Sequence, residues 1–394
     1  MAMQLLLPTK QRVEQFLWLV RCVAVAVFIP LSLALPVGSN AQEFETKAKY
    51  AYLVDYNTGT VLLSKNQDES MSPSSMTKTM TAYLIFDALK QGNLTLETKL
   101  PVSVKAWRMG GSKMFVKEGD DVTVADLLMG IVVQSGNDAC IVAAEGISGS
   151  EKGFADDMNF MAKKLGMTGS QFRNSSGWPD PDHYVTAKDI VTLALRLYKD
   201  FPEYWHYFAE TEFTYNDIKQ TNRNGLLYRN IGADGLKTGY TSVAGYGLVS
   251  SAEQDGRRLF LVVNGLKSAK ARITESERLL RHGFRDFKEI SLYKAGDKVD
   301  EASVWMGSGE SVSLVSSEDV TLLANKRLSR RGDNDVVLTV EYKGPIPAPI
   351  TKGDKLATLR VTRNGTLEQE IALLAGEDVA PLSSWQRMMF NLTH

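Results

Sequence analysis

An α+β domain followed by a small all-β domain is the architecture this 394-residue sequence predicts. Three observations carry it. Strand-like text stands at both ends of residues 47–287 with helical text between, which places the two ends of that segment in one sheet. After Phe287 the pattern turns to short alternating stretches punctuated by Gly296-Asp297, Gly307-Ser308-Gly309, Gly332-Asp333-Asn334, Gly353-Asp354 and Asn364-Gly365. Ahead of both comes an apolar N-terminal run that fits a signal-peptide h-region better than a bilayer span.

That run has the layout of an export signal. Lys10 and Arg12 precede a mostly apolar stretch from Phe16 to Pro36, and its uninterrupted part, Cys22 to Pro36, has the length of a signal-peptide h-region. Ser39 and Ala41 are the small residues of a cleavage site after Ala41, so residues 1–41 are read as a signal peptide. An uncleaved anchor is the weaker reading, because Arg21 would lie inside it. Cleavage removes Cys22 and leaves Cys140 alone, so no internal disulfide is expected. Cys140 lies in an apolar helical run and reads as a buried small hydrophobe. A net charge of −1 without a long basic run argues against nucleic acid as a partner.

The elements follow in order. Tyr50 to Asp55 and Thr60 to Leu63, separated by Tyr56-Asn57-Thr58-Gly59, predict a β-hairpin. Pro73 and Ser74 lead into a helix on which Met76, Met80, Tyr83, Leu84 and Ala88 keep helical spacing up to Gly92-Asn93. This places Ser75 at the helix N-terminus. Ala125 to Gly146 predicts a second helical region broken at Ser135-Gly136-Asn137, and Thr186 to Tyr198 another. Strands are expected over Gly235 to Tyr240, Gly245 to Ala252 and, past an Asp255-Gly256 turn, Arg258 to Leu266. A helix over Arg272 to Phe284 closes the domain. The β-rich domain is placed at 289–375, with strands at Val336 to Tyr342 and Leu356 to Val361, and Arg331-Gly332-Asp333 is read as a turn. The tail, 381–394, carries Trp385, Met388, Met389 and Leu392 at i, i+3, i+4 and i+7. That face suits either a membrane interface or docking on the protein itself.

Three short strings lie in one order across the first domain: Ser75-Met76-Thr77-Lys78, Ser135-Gly136-Asn137 and Lys237-Thr238-Gly239. Each alone has an ordinary structural reading; the ordered trio is specific. A serine hydroxyl is a weak nucleophile until a base takes its proton, and Lys78 projects from the same helical face as Ser75. Lysine is a base only where its ammonium is destabilised by burial or a second cation, for which Lys237 is the candidate. The amide of Ser75 at a helix start and the N–H of Tyr240 are the expected oxyanion donors. Ser135 fits a proton relay to a leaving amine and Asn137 an amide that binds the substrate's peptide group, both on one side of a short extended turn. Lys237 and Thr238 are placed to bind an anionic carboxylate, and Gly239 leaves room for a substrate along the strand edge. A Ser-His-Asp triad finds little support among His183, His206, His282 and His394, since no Gly-x-Ser-x-Gly elbow surrounds any serine. No histidine pair has zinc-ligand spacing, and Gly245-x-Gly247 is too little for a dinucleotide loop, so neither metal nor cofactor is expected.

At these residues the sequence resembles the low-molecular-mass penicillin-binding proteins, specifically the serine-type D-alanyl-D-alanine carboxypeptidases of the peptidase S11 type. The likeness runs from roughly Lys47 to the end and includes Gln220-Thr221-Asn222-Arg223-Asn224-Gly225-Leu226-Leu227, Asp234-Gly235-Leu236-Lys237-Thr238-Gly239 and Ala244-Gly245-Tyr246. The resemblance implies a β-lactamase/transpeptidase-like domain followed by a sandwich-like β-rich domain on the periplasmic side of the inner membrane. It implies removal of the terminal D-alanine from the peptidoglycan pentapeptide stem through an acyl-enzyme, with β-lactams trapping the same serine. It makes Ser75 the nucleophile, Lys78 the base, Ser135 and Asn137 the second motif and Lys237 the third. Arg223 and Arg272 take carboxylate-binding or supporting roles. Two departures stand out: Tyr240 replaces a histidine common in relatives, and the tail is shorter and less basic than the usual amphipathic anchor. A β-lactamase would share the trio, but the class A pattern needs a glutamate that Asn174 to Tyr184 lacks. A non-catalytic scaffold would not need a base beside a serine.

Overall fold

The computed structural model describes residues 45–325, 336–363 and 365–393. The signal peptide expected over 1–41 and the turn at Arg331-Gly332-Asp333 lie outside the described residues.

Tyr50–Asp55 (β1) and Val61–Lys65 (β2) form the expected hairpin, closed by Asp55 accepting hydrogen bonds from Thr58 N and Oγ1 at 2.9 and 2.8 Å. The chain then builds a helical half before returning to the sheet. Its helices are Lys78–Lys90 (α1), Val104–Arg108 (α2), Val124–Val132 (α3), Asn137–Ser148 (α4), Glu151–Lys164 (α5) and Ala187–Asp200 (α6). Two small antiparallel pairs accompany them: Lys99–Pro101 with Asp121–Thr123 (β3, β4), on either side of α2, and the hairpin of Glu212–Tyr215 with Ile218–Thr221 (β5, β6). Thr123, Ser150 and Thr186 cap α3, α5 and α6, each side chain accepting from the N–H three residues on.

Helices α2 and α5 and both small strand pairs are absent from the sequence expectation. The apolar stripe of α5, Phe154, Met158, Met161 and Ala162, does keep helical spacing. Glu151, Lys152, Asp156, Asp157, Lys163 and Lys164 cover the rest of it and dilute the signal.

Ala233–Thr241 (β7), Gly245–Gln254 (β8) and Arg257–Leu266 (β9) complete a five-stranded antiparallel sheet in the order β2-β1-β9-β8-β7, so both ends of the domain share it as the pattern predicts. Strand β9 is buried along nearly its whole length because helices cover both faces. Phe260 meets Tyr198 of α6 at a ring distance of 6.1 Å. The neighbouring Leu259 faces Ala269–Asp286 (α7), where a Cβ on Gly283 would stand 2.6 Å from it. Helix α4 forms the centre of the other half, with Asn137 to Ala144 all buried, and α1 is almost as enclosed. One cluster of apolar side chains joins these helices to the sheet.

Eight further strands follow among the described residues: Phe287–Tyr293 (β10), Lys298–Trp305 (β11), Ser311–Ser316 (β12), Val320–Asn325 (β13), Val336–Glu341 (β14), Ile346–Pro347 (β15), Lys355–Arg363 (β16) and Thr366–Ala375 (β17). A six-stranded sheet in the order β14-β16-β17-β12-β11-β15 and a β10–β13 pair enclose a separate core that includes Leu314, Leu359, Val361 and Leu373. The buried Arg257 guanidinium ties this part to the first sheet, pairing with Asp55 at 2.6 Å and donating to the carbonyls of Gly283 and Phe287 at 2.9 and 3.4 Å. Ser384–Thr393 forms a last helix (α8), on which Trp385 and Met388 are exposed; the side chains of Met389 and Leu392 lie outside the described residues. No helix among the described residues is long and apolar enough to cross a membrane.

Candidate active site

The three strings converge where the helical half meets the edge strand β7. Ser75 does not open an α-helix, as the spacing suggested; it lies in a tight 3-10 turn, Ser74–Thr77, and α1 begins at Lys78. Pro73 starts the turn, and Ser74 takes a left-handed φ of 50°, a conformation that costs a non-glycine residue about 1–2 kcal/mol. The turn is held from two sides. A Cβ on Gly177 would overlap the carbonyl of Ser74, and one on Gly239 would stand 2.9 Å from the carbonyl of Pro73. Gly239 therefore serves the close approach of β7 to the nucleophile's turn, beside the substrate clearance expected from the sequence.

Lys78 is 1% exposed, and its Nζ has three partners: Ser75 Oγ at 3.0 Å, Asn137 Oδ1 at 2.7 Å and the carbonyl of Ser176 at 2.7 Å. Burial lowers its pKa from 10.5 to about 8, with the charge of Arg223 adding to the effect and Asp138 opposing it. Arg223 thus joins Lys237, the cation the sequence pointed to, in acting on Lys78. Lys237 is itself lowered well below its ordinary value, first by burial and then by the charge of Lys78. The mutual repulsion falls on whichever amine protonates second.

The second string is shaped differently from the expected extended turn. Ser135 has a left-handed φ of 61° and Asn137 is the first residue of α4. Both ends of the Asn137 amide are engaged, Oδ1 by Lys78 and Nδ2 by donation to the carbonyl of Gly110 at 2.9 Å. In this state Asn137 Oδ1 holds the base, and the second Nδ2 hydrogen carries no contact to the protein. Asp138 fixes the opposite wall by accepting from the N–H groups of Met114, Phe115 and Val116 at 2.9, 2.9 and 3.3 Å.

A cleft of about 420 Å³ opens above these groups. Ser75, Ser135, Thr238, Gly239 and Tyr240 line it, together with Arg223 and Arg272; Lys78, Asn137 and Lys237 lie behind that surface. Arg223 donates to Ser112 Oγ at 2.7 Å. Arg272 donates to the carbonyls of Gly239 and Arg223 at 3.5 and 3.3 Å and lies 5.8 Å from the Tyr246 ring. Burial lowers the Arg272 pKa to about 10, so it stays cationic at neutral pH.

Residues that carry no motif complete the site. Asn174 Oδ1 accepts from the N–H groups of Gly177 and Trp178 at 2.8 and 2.9 Å, folding a loop that aims the Ser176 carbonyl at Lys78. Glu151 anchors that loop, accepting from Ser175 Oγ at 2.9 Å and pairing with Lys105 at 2.7 Å. His183 is buried and neutral at physiological pH, its pKa lowered to about 4 chiefly by burial. Its Nδ1 accepts from the Arg173 N–H at 3.4 Å, so Nε2 donates to Thr77 Oγ1 at 3.1 Å. It buttresses the turn and does not reach Ser75. Cys140 is fully buried, its thiol pushed up to about 12 mainly by burial, in keeping with an inert core residue.

Comparison with known proteins extends this geometry. The D-alanyl-D-alanine carboxypeptidase family model (peptidase S11) matches residues 37–268, and the model of the penicillin-binding protein 5 C-terminal domain matches residues 287–381. The chain belongs to the peptidase S11 family of D-alanyl-D-alanine carboxypeptidases. D-alanyl-D-alanine carboxypeptidase DacC of Escherichia coli is 37% identical over 360 residues, covering 90% of this chain and 89% of that protein. Penicillin binding protein 5 from Haemophilus influenzae superposes with a TM-score of 0.75 at 35% identity over 85% of this chain and 98% of that one. Penicillin-Binding Protein D2 from Listeria monocytogenes, solved in an ampicillin-bound form, superposes with a TM-score of 0.57 at 29% identity, over 61% of this chain and 98% of that one. The protein is a serine-type D-Ala-D-Ala carboxypeptidase with a C-terminal all-β domain. In this carboxypeptidase the position after Lys237-Thr238-Gly239 is Tyr240, half exposed and packed on Tyr246 at a ring distance of 4.2 Å.

Proposed function

We propose that this carboxypeptidase removes the terminal D-alanine of the peptidoglycan pentapeptide stem through an acyl-enzyme on Ser75, with Lys78 as the base. The observation that supports this most directly is the partner set of Lys78. A neutral amine has two N–H groups and one lone pair. Asn137 Oδ1 and the Ser176 carbonyl take the two N–H groups, which leaves the lone pair facing the Ser75 hydroxyl 3.0 Å away.

In the first half-reaction the Ser75 proton passes to Lys78 Nζ as Oγ bonds the scissile carbonyl carbon. The N–H groups of Ser75 and Tyr240 are the proposed donors to the resulting oxyanion. Collapse breaks the C–N bond, and the proton returns through Ser135 to the leaving amine of D-alanine. Water then attacks the acyl-serine by the same base and releases the shortened stem, which limits cross-linking. The substrate's terminal carboxylate meets Thr238, Arg223 and Arg272 at the cleft surface, while Lys237 acts from beneath. An anion bound there raises the Lys237 pKa again and keeps it charged. β-Lactams acylate Ser75 by the same route, as the ampicillin-bound relative suggests by analogy.

The direct test is to incubate the purified protein with a diacyl-D-Ala-D-Ala peptide and measure free D-alanine; no release would overturn the proposal. Lys237→Ala is expected to lower kcat/KM by about 10- to 100-fold, the scale of a charged hydrogen bond. Lys237→Arg should retain more, because it keeps the charge. Equal loss in both variants would count against an electrostatic role.

The protein is further proposed to be exported and to act in the periplasm, peripheral on the outer face of the cytoplasmic membrane. Exposure of Trp385 and Met388 on α8 supports attachment through the tail over docking on the protein. The short apolar face makes that attachment marginal and reversible. Protein ending at Ala380 should hydrolyse soluble peptide at the wild-type rate and be recovered less in the membrane fraction. Equal recovery would remove the tail as an anchor.

A further inference from the structure

A second cavity, of about 550 Å³, shares the stacked Tyr240 and Tyr246 with the catalytic cleft. Ser242 and Val243 line it next along the chain, and Lys49 and Lys267 come in from the neighbouring segments. Val243 is 91% exposed, so the cavity mouth is open to solvent. No aspartate or glutamate lines it. Lys49 stands 5.0 Å from the centre of the Tyr50 ring, and Glu69 is near enough to act on its charge.

The order of residues gives the cavity a place on the substrate. Under the proposed reading the terminal carboxylate lies by Thr238 and the scissile carbonyl by Tyr240. A strand rises about 3.3 Å per residue, so a peptide running along β7 passes Tyr240 and reaches Ser242 one or two residues upstream of the scissile bond. At that point it meets two lysines and a serine hydroxyl.

We propose that this cavity is a subsite for a carboxylate carried by the stem peptide upstream of D-Ala-D-Ala, bound by Lys49 and Lys267. The proposal rests on the catalytic reading above. It gives the enzyme a preference for a stem whose upstream carboxylate is free over one in which it is amidated, and it acts on KM because the group lies away from the reacting bond.

The test compares two N-acetylated pentapeptides that differ only in carrying a free carboxylate or a carboxamide on the second residue. Wild-type protein should favour the carboxylate peptide. In the Lys49→Ala, Lys267→Ala double variant, KM for that peptide should rise about five- to tenfold with kcat unchanged, the scale of two partly exposed ion pairs. Its kinetics on the carboxamide peptide should stay within about twofold of wild type. The Lys49→Arg, Lys267→Arg variant should restore KM. A double variant that loses equally on both peptides, or on neither, overturns the subsite. Wild-type protein that releases D-alanine from neither peptide would sink the catalytic reading instead, and the subsite with it.

Discussion

Ser75→Ala protein will release D-alanine from a diacyl-D-Ala-D-Ala peptide at least about 10⁴-fold more slowly than wild type, the scale of losing a nucleophile for which nothing nearby substitutes. It will also take up no penicilloyl group, where intact-mass analysis of wild type shows one. The change removes a single hydroxyl from a half-buried position, and Lys78 keeps its bonds to Asn137 and Ser176, so the fold should survive. Among the nucleophilic side chains nearby, Thr77, Ser135 and Cys140 lack the arrangement Ser75 has. Thr77 receives the His183 N–H, Ser135 has no hydrogen bond from Lys78, and the Cys140 thiol is held protonated. A penicilloyl adduct on Ser75→Ala would move the nucleophile elsewhere.

Lys78→Ala should slow acylation by about 10²- to 10⁴-fold, the range of general-base contributions. The pH profile separates loss of the base from damage to the site. Below pH 8 the wild-type ammonium donates to all three acceptors and has no lone pair; as pH rises through about 8 the proton leaves and the base appears. Wild-type acylation should therefore climb through that pH, and the climb should vanish in Lys78→Ala, leaving a low, flat rate. A variant that acylates near the wild-type rate, or that keeps the same rise, would place the base on another group. Lys237 would then be the first to examine, since its pKa is lowered too.

Much of the fold is legible in the residue pattern for local reasons. The hairpin turn of β1 and β2, the apolar runs of β8 and β9 on either side of Asp255-Gly256 and the amphipathic α7 each announce themselves within a window of a few residues. Helix α5 escaped because charged residues surround its apolar stripe, and the small strand pairs because strands of three or four residues barely establish a period. The site divides along the same line. Ser75, Lys78, Ser135 and Lys237 carry their chemistry in side chains at fixed spacings, and spacing is visible. The Ser176 carbonyl that holds Lys78 is a backbone atom, which every residue has, and only the Asn174 clamp makes that one special.

By itself, then, the sequence determined which side chains are available for acyl transfer, the order in which the chain presents them, and the two architectures that carry them. The tertiary structure alone decided their electrostatics. Whether Lys78 is an ammonium or an amine depends on how much water reaches it and which charges face it, and both are properties of chain segments far apart in sequence. Burial under α4 and the 174–178 loop lowers its pKa, Arg223 from beyond β6 adds its repulsion, and Lys237 on β7 is pushed down in turn. Structure likewise placed Asn137 on the base, turned Gly239 toward the Pro73 carbonyl, and set the Tyr240–Tyr246 pair between two cavities. Each of these is a distance across the fold, and a linear pattern contains no distances between segments that only folding brings together.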